Sequence, residues 1–177
     1  MAVQGKITKI VLDADVIIHF VKGGRLDMLP RILPEFQFIV LNVVERELPT
    51  LIMSSLRKII NRDKTIFEDV FGKTPGEVRE FARLTSKNGL SLGRGESACM
   101  VYCLYHHDVV GSSNTKDVTA YCQEKGITYL TTCDFLYYAI QRGLMTKAEA
   151  DDFISRVRNM GSFPPIVDFD TYVCTKI

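Results

Sequence analysis

A doubly wound α/β fold, built on a mostly parallel sheet of four to five strands flanked by helices, is the architecture the sequence predicts. Short β-type runs at residues 7–12, 36–41, 108–111 and 127–131 alternate with segments of helical periodicity, and strands that alternate with helices pair in parallel through crossovers. The first run ends abruptly in Asp13-Ala14-Asp15. Acid therefore stands at a strand tip, the place where open parallel sheets bind their ligands. At 177 residues the chain suits one unit that buries roughly 70% of its unfolded surface without disulfides. We expect a domain over 1–160 and a C-terminal tail over 161–177 packed on it or extending it.

Taken in order, the first strand leads into a helix whose Val16, Ile17, Phe20 and Val21 recur at helical spacing until Gly23-Gly24 stops it. A short helix over 25–33 then passes through Pro34 into the second strand. Asn42 is the expected cap of the next helix, which Pro49 must kink or restart, because proline lacks the amide hydrogen and clashes one turn back. Leu51, Ile52, Leu56, Ile59 and Ile60 continue its apolar face. Residues 61–76 are charged and broken by glycine and proline, with Thr65-Ile66-Phe67 as a small extra strand. Helices follow over 76–87 and 95–107. The third strand reaches Asn114, three residues before Asp117, and the fourth reaches Thr131, three residues before Asp134; both spacings are those of a capping box. An amphipathic helix over 146–160, with Ala148, Phe153, Ile154 and Val157 inward, precedes a proline-containing tail.

Composition narrows the function. Twenty-two basic against 21 acidic residues leave a net charge of +1, so no overall basic field announces nucleic acid, although local distribution matters more than the sum. The five cysteines form no CxxC pair and the three histidines lack zinc-ligand spacing from them. With no basic-then-apolar leader and no apolar run near the roughly 20 residues of a membrane span, we expect a reduced, cytoplasmic protein without membrane contact.

Acids at strand tips and helix starts are the candidate chemistry. Asp13 serves equally as an N-cap, with Asp15 complementing the helix dipole. Glu47 lies at the margin of a stripe formed by Val44 and Leu48, whereas Glu45 is expected to face water. Glu96, in Leu92-Gly93-Arg94-Gly95-Glu96-Ser97-Ala98, opens a helix whose N-terminus favours the ionised carboxylate that a hard cation needs. Clustered carboxylates repel unless a cation sits among them, and oxygen-only ligands suit Mg²⁺ or Mn²⁺.

The ordered set Val11-Leu12-Asp13-Ala14-Asp15-Val16-Ile17-Ile18, Val44-Glu45-Arg46-Glu47-Leu48, Gly95-Glu96-Ser97-Ala98 and the strand-helix-strand ending in Gly126-Ile127 and Phe135-Leu136 resembles PIN-domain ribonucleases, in particular the toxin-like VapC-type branch. The resemblance spans about residues 7–145. It implies an Mg²⁺- or Mn²⁺-dependent endoribonuclease, cytoplasmic and homodimeric, with RNA and an antitoxin protein as partners and products carrying 3′-hydroxyl and 5′-phosphate ends. Asp13, Glu47 and Glu96 match the family's first three acids. The next acid falls on Asn114 or Thr115, neither of which is acidic, so Asp117 or Asp134 is expected to complete the catalytic set. The metal ligands would then be Asp13, Glu96, Asp117 and Asp134, while Ser113, Asn114, Arg94 and Lys116 position substrate. Two alternatives stand beside this: a catalytically lapsed PIN-like binding module, and a phosphatase similar to the haloacid-dehalogenase type, whose DxDx(T/V) loop Asp13-Ala14-Asp15 resembles.

Overall fold

The computed structural model describes residues 5–177; the first four residues of the expected 1–160 unit lie outside the described residues. Among these, five strands form one all-parallel sheet: β1 (Lys9–Leu12), β2 (Gln37–Leu41), β3 (Ile66–Asp69), β4 (Val109–Gly111) and β5 (Tyr129–Leu130), in spatial order β3-β2-β1-β4-β5. The chain builds outward from β1 to β3, then returns to pair β4 on the other side of β1. Central β1 is covered on both faces, and Ile10, Val11 and Leu12 are fully buried, which is why this strand reads as a continuous apolar run rather than an alternating one. The extra strand expected around Ile66 is present as the edge strand β3.

The helices are α1 (Ala14–Lys22), α2 (Leu29–Ile32), α3 (Asn42–Glu45), α4 (Thr50–Lys58), α5 (Pro75–Thr85), α6 (Arg94–His106), α7 (Thr115–Lys125), α8 (Thr132–Gln141) and α9 (Lys147–Asn159). Gly23 ends α1 where Phe153 of α9 presses in: a Cβ at Gly23 would lie 2.1 Å from that ring. The single short helix expected over 25–33 is instead a 3₁₀ turn, Leu26–Met28, followed by the one-turn α2 with Pro30 in its first turn. Pro49 restarts the helix, as its missing amide hydrogen requires, and stands as the N-cap of α4. Asn42 does not cap. Its Oδ1 accepts the Phe71 N–H at 3.0 Å, so the side chain ties down the loop after β3 instead. Nearly the whole first half of α6 is buried, because it packs on β1, β2 and β4 and between α3, α5 and α7.

Asp134, expected at a metal site, is taken up by the fold. It closes a capping box with Thr131, whose N–H it accepts at 2.8 Å, and it receives Lys176 Nζ at 2.7 Å and the Tyr172 hydroxyl at 2.6 Å. The 161–177 tail is thereby strapped to α8, with Phe169 and Cys174 buried in the core. Burial pushes the Asp134 carboxyl up, but Lys176, Thr131 and Tyr172 together outweigh it and hold the group below the usual carboxylate range. Among the described residues no helix is long and apolar enough to cross a membrane.

Asp134 is buried while Lys176 is a third exposed, and Asp134 keeps Thr131 and Tyr172 as partners, so Lys176→Met is expected to cost about 1–2 kcal/mol of stability in urea unfolding, the loss of one partly solvent-screened charged hydrogen bond. The pair's contribution is fully present above the unfolded aspartate value, near 3.9, and is lost as pH falls through the lowered folded value. Urea midpoints of wild type and variant should therefore converge on acidification; a constant gap across that range would contradict this account.

Candidate active site at the switch point of the sheet

The strand order reverses between β1 and β4, and in doubly wound sheets the crevice beyond the carboxyl ends at such a point receives the ligand. Here the Asp13 N–H donates to the Gly111 carbonyl at 2.8 Å, which joins the residue after β1 to the end of β4. Beyond that bond lies an open cavity of about 470 Å³ lined by Asp13, Ala14, Asp15, Ile18, Glu47, Gly93, Glu96, Asn114 and Asp117. Five of these nine are carboxylic acids, and no lysine or arginine lines it. A smaller hollow, about 320 Å³, opens at the other end of β4, where one carboxylate, Asp108, stands among His107 and Lys125.

Each acid is delivered by the start of a helix or the turn before one. Asp13 caps α1, accepting the Ala14 N–H at 2.8 Å through one oxygen and the Ser112 hydroxyl at 3.1 Å through the other. Capping and lining the cavity are thus one geometry, not alternatives. Asp15, in the first turn of α1, accepts the Val16 N–H at 2.6 Å and the Ser113 N–H at 2.8 Å. Glu96 accepts the Gly93 N–H at 2.9 Å and the Asn114 amide at 2.5 Å. Asp117 takes a second hydrogen bond from that amide at 3.1 Å. Carboxylates only accept, so the Asn114 side chain presents its NH₂ to both. Glu47 reaches across from the α3–α4 connection to the Gly95 N–H at 2.8 Å. The exposed first-turn amides of α1 and α6, with the positive ends of their dipoles, thereby meet the negative charge.

Gly95 makes the close approach of α6 feasible. A Cβ there would stand 2.3 Å from Glu47 Oε2 and 3.3 Å from Asp13 Oδ1. Hydrogen bonding does not fully offset the concentration of acid. Burial, then the charge of Asp15, drives the Asp13 carboxyl well above its ordinary range. Asp15 is pushed up to about 6, chiefly by burial. Glu96 is raised by burial, with Asp117 and Glu47 contributing.

Several expectations need correction. Asp134 is not in the cavity; it anchors the tail. The Ser113 side chain turns away to Thr132, whose Oγ1 lies at 2.8 Å, and only its backbone N–H serves the cluster. Asn114 makes no side-chain cap for α7, since its amide is engaged by Glu96 and Asp117. Arg94 and Lys116 do not line the cavity; both are exposed beside it. Glu45, expected in water, has a side chain only 14% exposed beside Arg57, and burial together with Glu68 pushes it up to about 7. The exposed residue is Glu47, whose carboxylate folds back onto α6. Asp15, recognised at the strand tip but left out of the expected site set, lines the cavity, and Ser112, which donates to Asp13, was not foreseen. The spacing of two between Asp13 and Asp15 at a strand-to-helix turn was the available signal for Asp15; nothing local marked Ser112.

Fold and site together define a parallel α/β protein with an acid-lined cavity at its switch point. Searches of protein-family models and of curated proteins find no match. Among solved structures the chain is similar to a PilT N-terminus domain protein of the hyperthermophilic archaeon Sulfolobus solfataricus, at 14% identity and a TM-score of 0.42, covering 73% of this chain and 91% of that one.

Gly95→Ala is expected to expel Glu47 rather than break α6, because the atom in the way is the far end of a flexible side chain. The lost charged hydrogen bond, about 1.5–3 kcal/mol, is partly offset by about 1 kcal/mol of helix propensity. Unfolding should register a net loss of about 0.5–2 kcal/mol, and a crystal structure should show the Glu47 carboxylate displaced. A loss several times larger would mean that the helix itself had been forced to move.

Proposed function

We propose that the protein is a divalent-cation-dependent ribonuclease of the PIN type. The observation that carries this reading is the convergence of Asp13, Asp15, Glu47, Glu96 and Asp117 on one cavity whose lining contains no basic side chain. The ordered motif resemblance supports it independently. The toxin role, with its antitoxin partner and homodimer, rests on that resemblance alone.

The donor set fits Mg²⁺ or Mn²⁺. All its candidate ligands are hard oxygens, and three of the acids are raised above their ordinary range, first by burial and then by the charge of neighbouring acids. Among the described residues no three His, Cys, Asp or Glu side chains already converge as a finished metal site, because each carboxylate is turned onto an amide or hydroxyl donor. Asp13, Glu96 and Asp117 are the residues that would hold the ion, with Asp15 and Glu47 adjacent. The chemistry such an ion supplies is charge neutralisation at a phosphate and activation of water. The chain itself contributes the rest: Ser112 and the Ser113 and Ala14 amides orient Asp13 and Asp15, the Gly93 amide and Asn114 orient Glu96, and Gly95 leaves room for the acids to approach α6.

The phosphatase alternative requires a lysine and a second acidic motif at the same crevice. Neither is there. No lysine lines the cavity, and Asp151-Asp152, the late acidic pair, lies exposed on α9. The lapsed-module alternative draws on Asn114, but Asp117 supplies a further carboxylate beside Glu96.

Purified protein is expected to cleave unstructured RNA in Mn²⁺ or Mg²⁺ and not in EDTA. Asp13→Ala and Glu96→Ala should each reduce cleavage at least ~100-fold, on the scale of losing a group that acts in catalysis, and weaken Mn²⁺ binding in titration calorimetry. Mn²⁺ affinity unchanged in both variants would refute the proposal, and rapid hydrolysis of a generic aryl phosphate abolished by Asp13→Asn would replace it with the phosphatase.

A further inference from the structure

Arg94 is the first residue of α6, between two glycines that border the cavity: Gly93 lines it, and Gly95 abuts Glu47 and Asp13. A cation so close to five carboxylates is attracted by their combined charge. Yet among the described residues Arg94 pairs with no acid. Its guanidinium lies over the Phe81 ring, 5.0 Å from the centroid. Helix geometry explains the direction: residues two apart project to opposite sides of a helix, so Arg94 points away from Glu96 toward the seam with α5. Phe81 is half-buried there and braced by Phe71, with ring centroids 5.1 Å apart.

A cation in the first turn of a helix opposes its dipole, and stacking on an aromatic ring returns a comparable amount, so the placement itself gains the isolated protein little. Lys116 repeats part of the pattern at the start of α7. It sits in the first turn of α7 beside Asp117, exposed and without an acidic partner among the described residues. Two cations without an acidic partner among the described residues thus stand beside an acid cavity whose lining neither joins, which suits an anionic polymer held next to the acids.

We propose that Phe81 is a positioning residue, holding Arg94 at the lip of the cavity to bind a backbone phosphate of single-stranded RNA adjacent to the one being cut. The proposal rests on the ribonuclease reading above. Phe81 keeps the guanidinium out of the acid cluster, so that the acids stay free for a cation and the arginine stays free for the strand.

The test is binding of a short, unstructured, fluorescein-labelled RNA to the full chain in Ca²⁺ across a salt series, with cleavage in Mn²⁺ followed separately. Loss of one phosphate contact on a single strand lowers the slope of log K against log salt by about 0.7. Arg94→Ala and Phe81→Leu are each expected to lower the slope by about that amount and the affinity about fivefold. Phe81→Tyr should retain both, and Phe81→Leu should add nothing in an Arg94→Ala background. A role of Phe81 in packing alone would lower the melting temperature without changing the slope. Should Phe81→Leu not fold, Arg94→Lys tests the same contact: an ammonium keeps the charge but stacks less well, so the slope stays and the affinity falls. RNA cleaved by wild type with slopes unchanged in the variants overturns this inference alone. A wild type that neither binds nor cleaves RNA overturns it together with the ribonuclease reading.

Discussion

The hydrogen bond from the Asp13 amide to the Gly111 carbonyl extends the β1–β4 pairing one residue past the end of β1. That step decides where everything else stands. It holds the first residue of the α1 turn against the first residues after β4, so Asp13 and Asp15 meet Ser112, Ser113 and Asn114 across a single strand spacing. Because β1 is central, α6 can cross its end and bring Glu96, while the connection after β2 brings Glu47. Parallel topology alone would leave these acids on separate loops. The switch in strand order puts them around one opening.

Magnitudes show why the cluster is not neutral ground. Two unit charges about 6 Å apart repel by about 3 kcal/mol at an effective dielectric near 20, and each acid here has several acidic neighbours. A hydrogen bond to a charged group returns about 1.5–3 kcal/mol. The amide and hydroxyl donors around Asp13, Asp15 and Glu96 therefore offset roughly one neighbour each, and burial, with the remaining repulsion added to it, raises their carboxyl pKa values. A purely structural use of these residues would be better served by asparagine or serine, which cap helices as well as aspartate does. Asn114 shows the chain using that option once, where its amide bridges Glu96 and Asp117.

Those elements of the fold that depend on local chemistry were legible in the sequence. Alternating apolar runs and helical periods placed the strands and most helices, Pro49 forced a restart, and Thr131 with Asp134 formed the capping box their spacing implied. What failed was the choice between local and long-range partners. Asn42 and Asn114 both look like caps, but each side chain found a partner distant in sequence, Phe71 in one case and Glu96 in the other. Glu45 and Glu47 could not be ranked by helical periodicity, because α3 is a single turn and the chain leaves helical geometry before Glu47. The candidate site was legible at Asp13, Glu47, Glu96 and Asp117 as positions along the chain. Asp134 could not be separated from Asp117, since both follow a strand and share one motif; the difference is made by Lys176 and Tyr172, about forty residues later, which consume the Asp134 carboxylate.

The same energetics bear on the choice between the proposed ribonuclease and a lapsed binding module. A binding surface relieved of chemistry gains stability by neutralising buried acids or by letting a neighbouring arginine fold onto them. One neutral side chain, Asn114, does stand among the acids, but the five carboxylic acids remain and no arginine lies in the lining. Asp13, only 6% exposed, keeps its carboxylate at the cavity, Gly95 keeps the space that any side chain would close, and Arg94 is stacked on Phe81 beside acids it could otherwise pair with. The retained buried acids cost the isolated fold free energy, and under the proposed function a cation in the cavity would offset that cost. The arrangement fits a divalent cation and a polyanion acting together better than either alone.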